Sequence, residues 1–150
     1  MDPKHLEILR DVFEEKIVFN KVLGIKLLDV EDGKASLRFD MKPELVGNFA
    51  MGILHGGVIS SALDVIGGAA VISTFKPGGH FYSIGTVDMR TDFLRPGKGK
   101  HFIATGNVMR PGRILVSTRM ELVNDDGELI AIGQAIYRLT ARDEFKLVNL

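Results

Sequence analysis

Cysteine is absent from the 150 residues. That excludes a disulfide framework and a thiol nucleophile, and it fits the cytoplasmic location we expect. Neither sign of charge is in excess, with 19 Lys and Arg against 19 Asp and Glu. The bulk basic excess that usually marks nucleic-acid binding is therefore missing, and no nucleic acid is expected as a partner. No uninterrupted apolar run reaches the roughly 18 to 20 residues that a membrane span needs, so no membrane partner is expected. The first turns carry Asp2, Glu7, Asp11, Glu14 and Glu15, which do not make the basic stretch and apolar core of a signal peptide. His5, His55, His80 and His101 show no metal-ligand spacing, and neither a metal nor another cofactor is expected.

What is present is an ordinary globular composition, 45% hydrophobic and 25% charged, in a chain long enough for one domain over 1–150. Leu6, Leu9, Val12, Phe13 and Ile17 recur at helical spacing after Pro3, predicting an amphipathic helix over 3–19 that covers a sheet edge or lids a pocket. Residues 25–31 and 34–41 read as strands joined by Asp32-Gly33, a hairpin signal. Residues 43–51 read as loop, and a long helix over about 55–75 stops near Pro77-Gly78-Gly79. Four strands follow, over 82–94, 100–109, 114–123 and 129–139, as a meander. Val116, Thr118, Met120 and Leu122 alternate with Ser117, Arg119 and Glu121, so one face of that sheet should be solvated. The order predicts an α+β fold, one antiparallel sheet with a helix against one face.

The run from His55 to Ala70 is the most informative stretch. It reads as a core helix whose sole charge is Asp64. A carboxylate there costs free energy unless it is paired or hydrogen-bonded, so it is either a structural cap or a catalytic group. Gly56 and Gly57 lie at the helix start, where backbone N–H groups lack intrahelical acceptors and favour anionic oxygens. Gly57 and Asp64 are seven residues apart, roughly 10 Å along a helix axis. One helix therefore cannot readily bring both groups to one reacting centre. Two antiparallel copies side by side can, and Gly67, Gly68, Ala69 and Ala70 are small enough to let them approach. A homodimer with sites shared between subunits is the expectation, with a tetramer of two such pairs also open.

An Asn-Gly-rich loop, then His55-Gly56-Gly57, then Asp64 nine residues after the His, resembles the hotdog-fold acyl-CoA thioesterases of the PaaI type, in the 4-hydroxybenzoyl-CoA thioesterase-like superfamily. The segment from Thr86 to Pro96 is similar to that family's second, strand-borne motif. Arg110-Pro111-Gly112-Arg113 and the run from Asp126 to Ala131 fall where its turns fall. The resemblance covers about 20–140. It implies a hotdog fold, a sheet wrapped around a long central helix, and hydrolysis of an acyl-CoA to a free acid and CoA, with no cofactor beyond the substrate.

Carried over by position, Asp64 is the catalytic carboxylate, as general base or as nucleophile. The Gly57 N–H of the neighbouring subunit polarises the carbonyl, with the helix dipole assisting. Thr86 orients the water or the carboxylate, and Asn48 orients the thioester. The family commonly has its Asn six residues before the His; that position is Phe49 here, and Asn48 stands seven before. His55 is read as fixing the loop rather than as a base. Arg95, Arg110 and Arg113 are candidates for the CoA phosphates, although exposed arginines at turns are also ordinary. Asp88 and Asp92 share strand parity with Thr86. Phe49, Met51 and Ile53 are candidates for the acyl pocket between subunits, or else core residues. Gly97-Lys98-Gly99-Lys100 lacks the spacing of a Walker loop and reads as a charged hairpin. Two other functions compete: a non-catalytic acyl-CoA binding or sensor protein, and a hotdog hydratase or dehydratase.

Overall fold

The computed structural model describes residues 3–75 and 82–141. The elements are α1 (Pro3–Arg10), a π-helical turn (Asp11–Lys16), α2 (Val18–Leu23), β1 (Lys26–Glu31), β2 (Lys34–Asp40), β3 (Val46–Asn48), β4 (Ile53–Leu54), α3 (Gly56–Ile72), β5 (Tyr82–Phe93), β6 (His101–Arg110), β7 (Leu115–Asn124) and β8 (Leu129–Ala141). Six strands form one antiparallel sheet in the order β1-β2-β6-β7-β8-β5, and α3 packs against most of them. This is the expected α+β architecture with a long central helix.

Apolar periodicity explains the layering. Val116, Thr118, Met120 and Leu122 are buried while Arg119 is exposed, so β7 turns one face to α3 as its alternation predicts. From α3, Ile59, Leu63 and Ile66 enter the same core, where Phe39 and Phe102 stack at 5.3 Å between centroids. The helix approaches the sheet closely at Gly106, where a Cβ would lie 2.7 Å from the Ile66 carbonyl oxygen.

Four expectations are corrected. The N-terminal helix is not continuous: the Ile17 N–H bonds the Val12 carbonyl five residues back at 3.0 Å, and Ile17 itself is extended. Glu14 explains where that segment sits. Its carboxylate accepts the Leu27 N–H on edge strand β1 and holds Lys26, both at 2.9 Å. Second, β3 and β4 pair within the stretch read mostly as loop. Third, the last four strands are not a simple meander, because β5 pairs with β8 at the sheet edge while β6 pairs with β2. The Gly97-Lys98-Gly99-Lys100 segment, read as a charged hairpin, is thus part of a crossover from β5 to β6. Fourth, α3 ends at Ile72; the predicted stop at 77–79 lies outside the described residues.

Candidate active site

Asp64 sits half-buried in the middle of α3, and two strands aim hydroxyls at it. Thr86 Oγ1 donates to Asp64 Oδ1 at 2.8 Å. The Tyr137 hydroxyl lies 3.1 Å from the same oxygen and 2.7 Å from the Asp64 backbone carbonyl. Thr86 on β5 and Tyr137 on β8 are direct cross-strand partners, so sheet register alone brings both to one point. Oδ2 receives no hydrogen bond among the described residues. One carboxylate oxygen is thereby held and the other is left to act on a third party.

Tyr137 escaped the sequence reading, where it is one aromatic on an alternating strand. It is 2% exposed. Burial, and then the charge and hydrogen bond of Asp64, push its pKa far above the ordinary phenol value, so it stays a donor. The signal that could have found it is Gly67. A Cβ there would collide with the Tyr137 hydroxyl, so the glycine is what lets the phenol reach the helix.

A β-bulge at Val87 separates Thr86 from Asp88, so parity along β5 reverses after Thr86. Thr91, which meets Ser60 Oγ of α3 at 3.3 Å, and Phe93, beside Gly56, then share the helix-facing side with Thr86. Asp88 and Asp92 fall on the other face, and Asp92 is held by Arg90 at 2.9 Å.

The helix start makes a second cluster. His55 is the N-cap: its Nδ1 accepts the Gly57 N–H at 2.9 Å, and its carbonyl accepts Val58 and Ile59 N–H. Because Nδ1 accepts, the neutral ring carries its proton on Nε2. The donor expected at Gly57 is thus already engaged. The Gly56 N–H, one residue earlier, has no protein acceptor among the described residues. Asn48 folds its own loop, its Oδ1 accepting Ala50 and Met51 N–H at 3.1 and 3.2 Å. Within one chain this cluster and Asp64 stay apart along α3, as the helix rise requires.

Phe49 is 95% exposed, which removes the core reading for it, and Met51 is exposed as well. Arg95 donates from Nη1 to the Leu129 carbonyl at 2.9 Å, tying the end of β5 to β8. Arg110 and Arg113 are exposed around the β6–β7 turn, where Arg110 borders a shallow hollow with Ser117. Among the described residues no three His, Asp or Glu side chains converge as a metal site would require; His80 and the His5 side chain lie outside them.

A fold with a carboxylate on its central helix and a free N–H at that helix's start invites comparison with known proteins. Residues 51–131 match the thioesterase superfamily. The chain belongs to that superfamily. The medium/long-chain acyl-CoA thioesterase YigI of Salmonella typhimurium is 38% identical over 88% of this chain and 92% of its own length. Human acyl-coenzyme A thioesterase 13 is 34% identical over 77% of this chain and 81% of its own. Among solved structures, a thioesterase-superfamily protein of Shewanella oneidensis superposes with a TM-score of 0.80 at 35% identity, covering 92% of this chain and 99% of that one. In this thioesterase-superfamily chain the Asp64–Thr86–Tyr137 cluster and the helix start lie within or next to the matched segment. Asn48 falls just before it and Tyr137 just after it.

Proposed function

We propose that this protein is an acyl-CoA thioesterase with Asp64 as its catalytic carboxylate. The observation that carries the reading is Asp64 itself, half-buried, steadied on Oδ1 by Thr86 and Tyr137 and free on Oδ2, in a chain of the thioesterase superfamily. Asp64 accepts a proton from water as the water oxygen adds to the thioester carbonyl carbon. Collapse of the tetrahedral intermediate breaks the C–S bond, and the CoA thiolate takes back the proton that Asp64 accepted, which leaves a carboxylic acid, CoA and an ionised Asp64. The helix-start N–H stabilises the oxyanion between those steps. Gly56 supplies it, since Gly57 is bonded to His55; His55 shapes the helix start and Asn48 the loop before it.

The two clusters meet in a homodimer. β5 is a 12-residue edge strand with Val87 and Phe93 exposed on it, a surface that favours pairing with its own copy about a twofold axis. Such pairing sets the two α3 helices antiparallel, the start of one beside the middle of the other. The exposed loop with Phe49 and Met51 then reaches the partner's site, and Arg110 and Arg113 are available to CoA phosphates. Two dimers can associate further. A cytoplasmic location and the medium/long-chain specificity named for YigI are our expectations here.

The test is free-thiol release from a panel of acyl-CoAs by the native protein and by Asp64→Asn. Release that falls by at least about a hundredfold in a folded Asp64→Asn variant supports the reading. Acyl-CoA binding without thiol release by the native protein overturns it in favour of a binding or sensor protein.

A further inference from the structure

A cavity of ≈ 290 Å³ opens beside Asp64, and its walls come from four parts of the chain. Val65, Gly68 and Ile72 line it from α3, Ile84 from β5, and Ile17 and Phe19 from the N-terminal segment. Asp64 is its one charged lining residue, at the end where Thr86 and Tyr137 also stand. From Asp64 to Ile72 the helix rises about 12 Å, so the apolar part runs along α3 as an open groove. A groove with its one charge at one end and, apart from the Asn20 amide on the N-terminal wall, apolar side chains along its length matches an acyl chain attached to a thioester. It cannot hold the CoA phosphates, because it offers them no cation.

We propose that this cavity is the acyl subsite and that Gly68, Ile17 and Phe19 set the chain length it accepts; the inference rests on the thioesterase reading. Two observations single these residues out. A Cβ at Gly68 would meet Tyr137 only at 3.8 Å, an ordinary contact, so packing within the chain does not demand glycine there. Mid-helix glycine nevertheless costs about 1 kcal/mol relative to alanine. What the missing side chain provides is room halfway along the groove.

The opposite wall is placed by the break after the π-helical turn, which leaves Ile17 extended and starts α2 at Val18. The Asn20 side-chain amide bonds the Phe13 carbonyl at 2.9 Å and fixes the two halves of that wall to each other. An unbroken helix over 3–19 would not present Ile17 and Phe19 in this way. The segment that overturned the sequence expectation is therefore the one that forms the groove's outer wall.

The experiment measures kcat/KM from butyryl-CoA to palmitoyl-CoA for the native protein, Gly68→Val, Ile17→Ala and Phe19→Ala, and reads the ratio of palmitoyl to butyryl. General losses of activity cancel in that ratio. Gly68→Val should lower it by about tenfold or more, the scale on which one or two methyl groups discriminate in an apolar pocket. Ile17→Ala and Phe19→Ala should raise it. A ratio within about twofold of native in all three variants overturns the proposal, as does a shift in one direction for all. Should Gly68→Val fail to fold, the two wall variants decide alone. If Gly68→Val instead turns a dimer into monomers, Gly68 belongs to the interface and its assignment falls. Asp64→Asn tests the parent reading separately, because its failure removes hydrolysis of every chain length and leaves no ratio to shift.

Discussion

At the scale of single residues, the arrangement around Asp64 divides the labour of one carboxylate. Thr86 donates to Oδ1 and the single Tyr137 proton is shared between Oδ1 and the Asp64 backbone carbonyl; a hydrogen bond to a charged acceptor is worth about 1.5–3 kcal/mol, enough to keep the side chain in one rotamer. Tyr137 does this only while protonated. Burial and the neighbouring Asp64 charge raise its pKa in the folded chain, whereas in the unfolded chain it ionises near 10. Above pH 10 the native state therefore binds one more proton than the unfolded state, and stability falls with rising pH. Below pH 10 this group leaves stability flat. The expected slope is about 1.4 kcal/mol per pH unit above 10, until unfolding itself intervenes. In a Tyr82→Phe variant, Tyr137 is the sole tyrosine, since the chain has two. Its phenolate absorbance should then rise together with the loss of helical circular dichroism. A phenolate that appears near pH 10 in a still-folded protein contradicts the burial argument. In the sequence Asp64 was legible because a lone charge in an apolar helix has few explanations. Tyr137 was not, because nothing local shows that β8 is the neighbour of β5.

At the scale of elements, the two central glycines of α3 look alike in sequence and differ in the fold. Gly67 faces the Tyr137 hydroxyl and Met120 Sδ, the latter 3.1 Å from where a Cβ would stand. Gly68 faces the cavity. Gly67→Ala should destabilise by about 1–3 kcal/mol through overpacking and should dislodge Tyr137 from Asp64. Gly68→Ala should stabilise by about 0.5–1 kcal/mol through helix propensity. Denaturant midpoints of the two variants decide it, and equal shifts would mean that the two positions are not distinct. The same contrast shows what periodicity can carry. It placed α3 and the long strands because burial on one face repeats every 3.6 or 2 residues. It missed the π-helical turn, the bulge at Val87 and the β5–β6 crossover. The first two are one-turn or one-residue events set by distant contacts, Glu14 on the β1 edge and Tyr137 opposite Thr86, and the third is a choice of strand order that periodicity does not encode. The bulge matters most. By reversing parity it keeps Thr86 on the helix side and turns Asp88 and Asp92 away.

At the scale of the whole molecule, helix geometry keeps Asp64 and the helix start apart within one chain, and the proposed function has a second copy join them. That requirement gives a quantitative test. Gly56 is the first helical residue after the His55 cap, where proline is well tolerated and removes the N–H without breaking a helical bond. His55 already has the extended backbone, at φ −65 and ψ 137, that a following proline prefers. Gly56→Pro should therefore fold and dimerise yet lose about a hundredfold or more in kcat, the usual effect of deleting an oxyanion donor. Asp64→Asn should lose activity for the complementary reason, because it removes the carboxylate. When the two variants are mixed and subunits exchange at random, half of the dimers are mixed. In a mixed dimer one site carries both defects and the other carries neither. About a quarter of all sites should thus regain native activity if each is built from two subunits. If each subunit holds a whole site, every site keeps one defect and recovery is nil. The measurement is thiol release after exchange, with the mixed dimer itself verified by native mass spectrometry so that nil recovery is decisive.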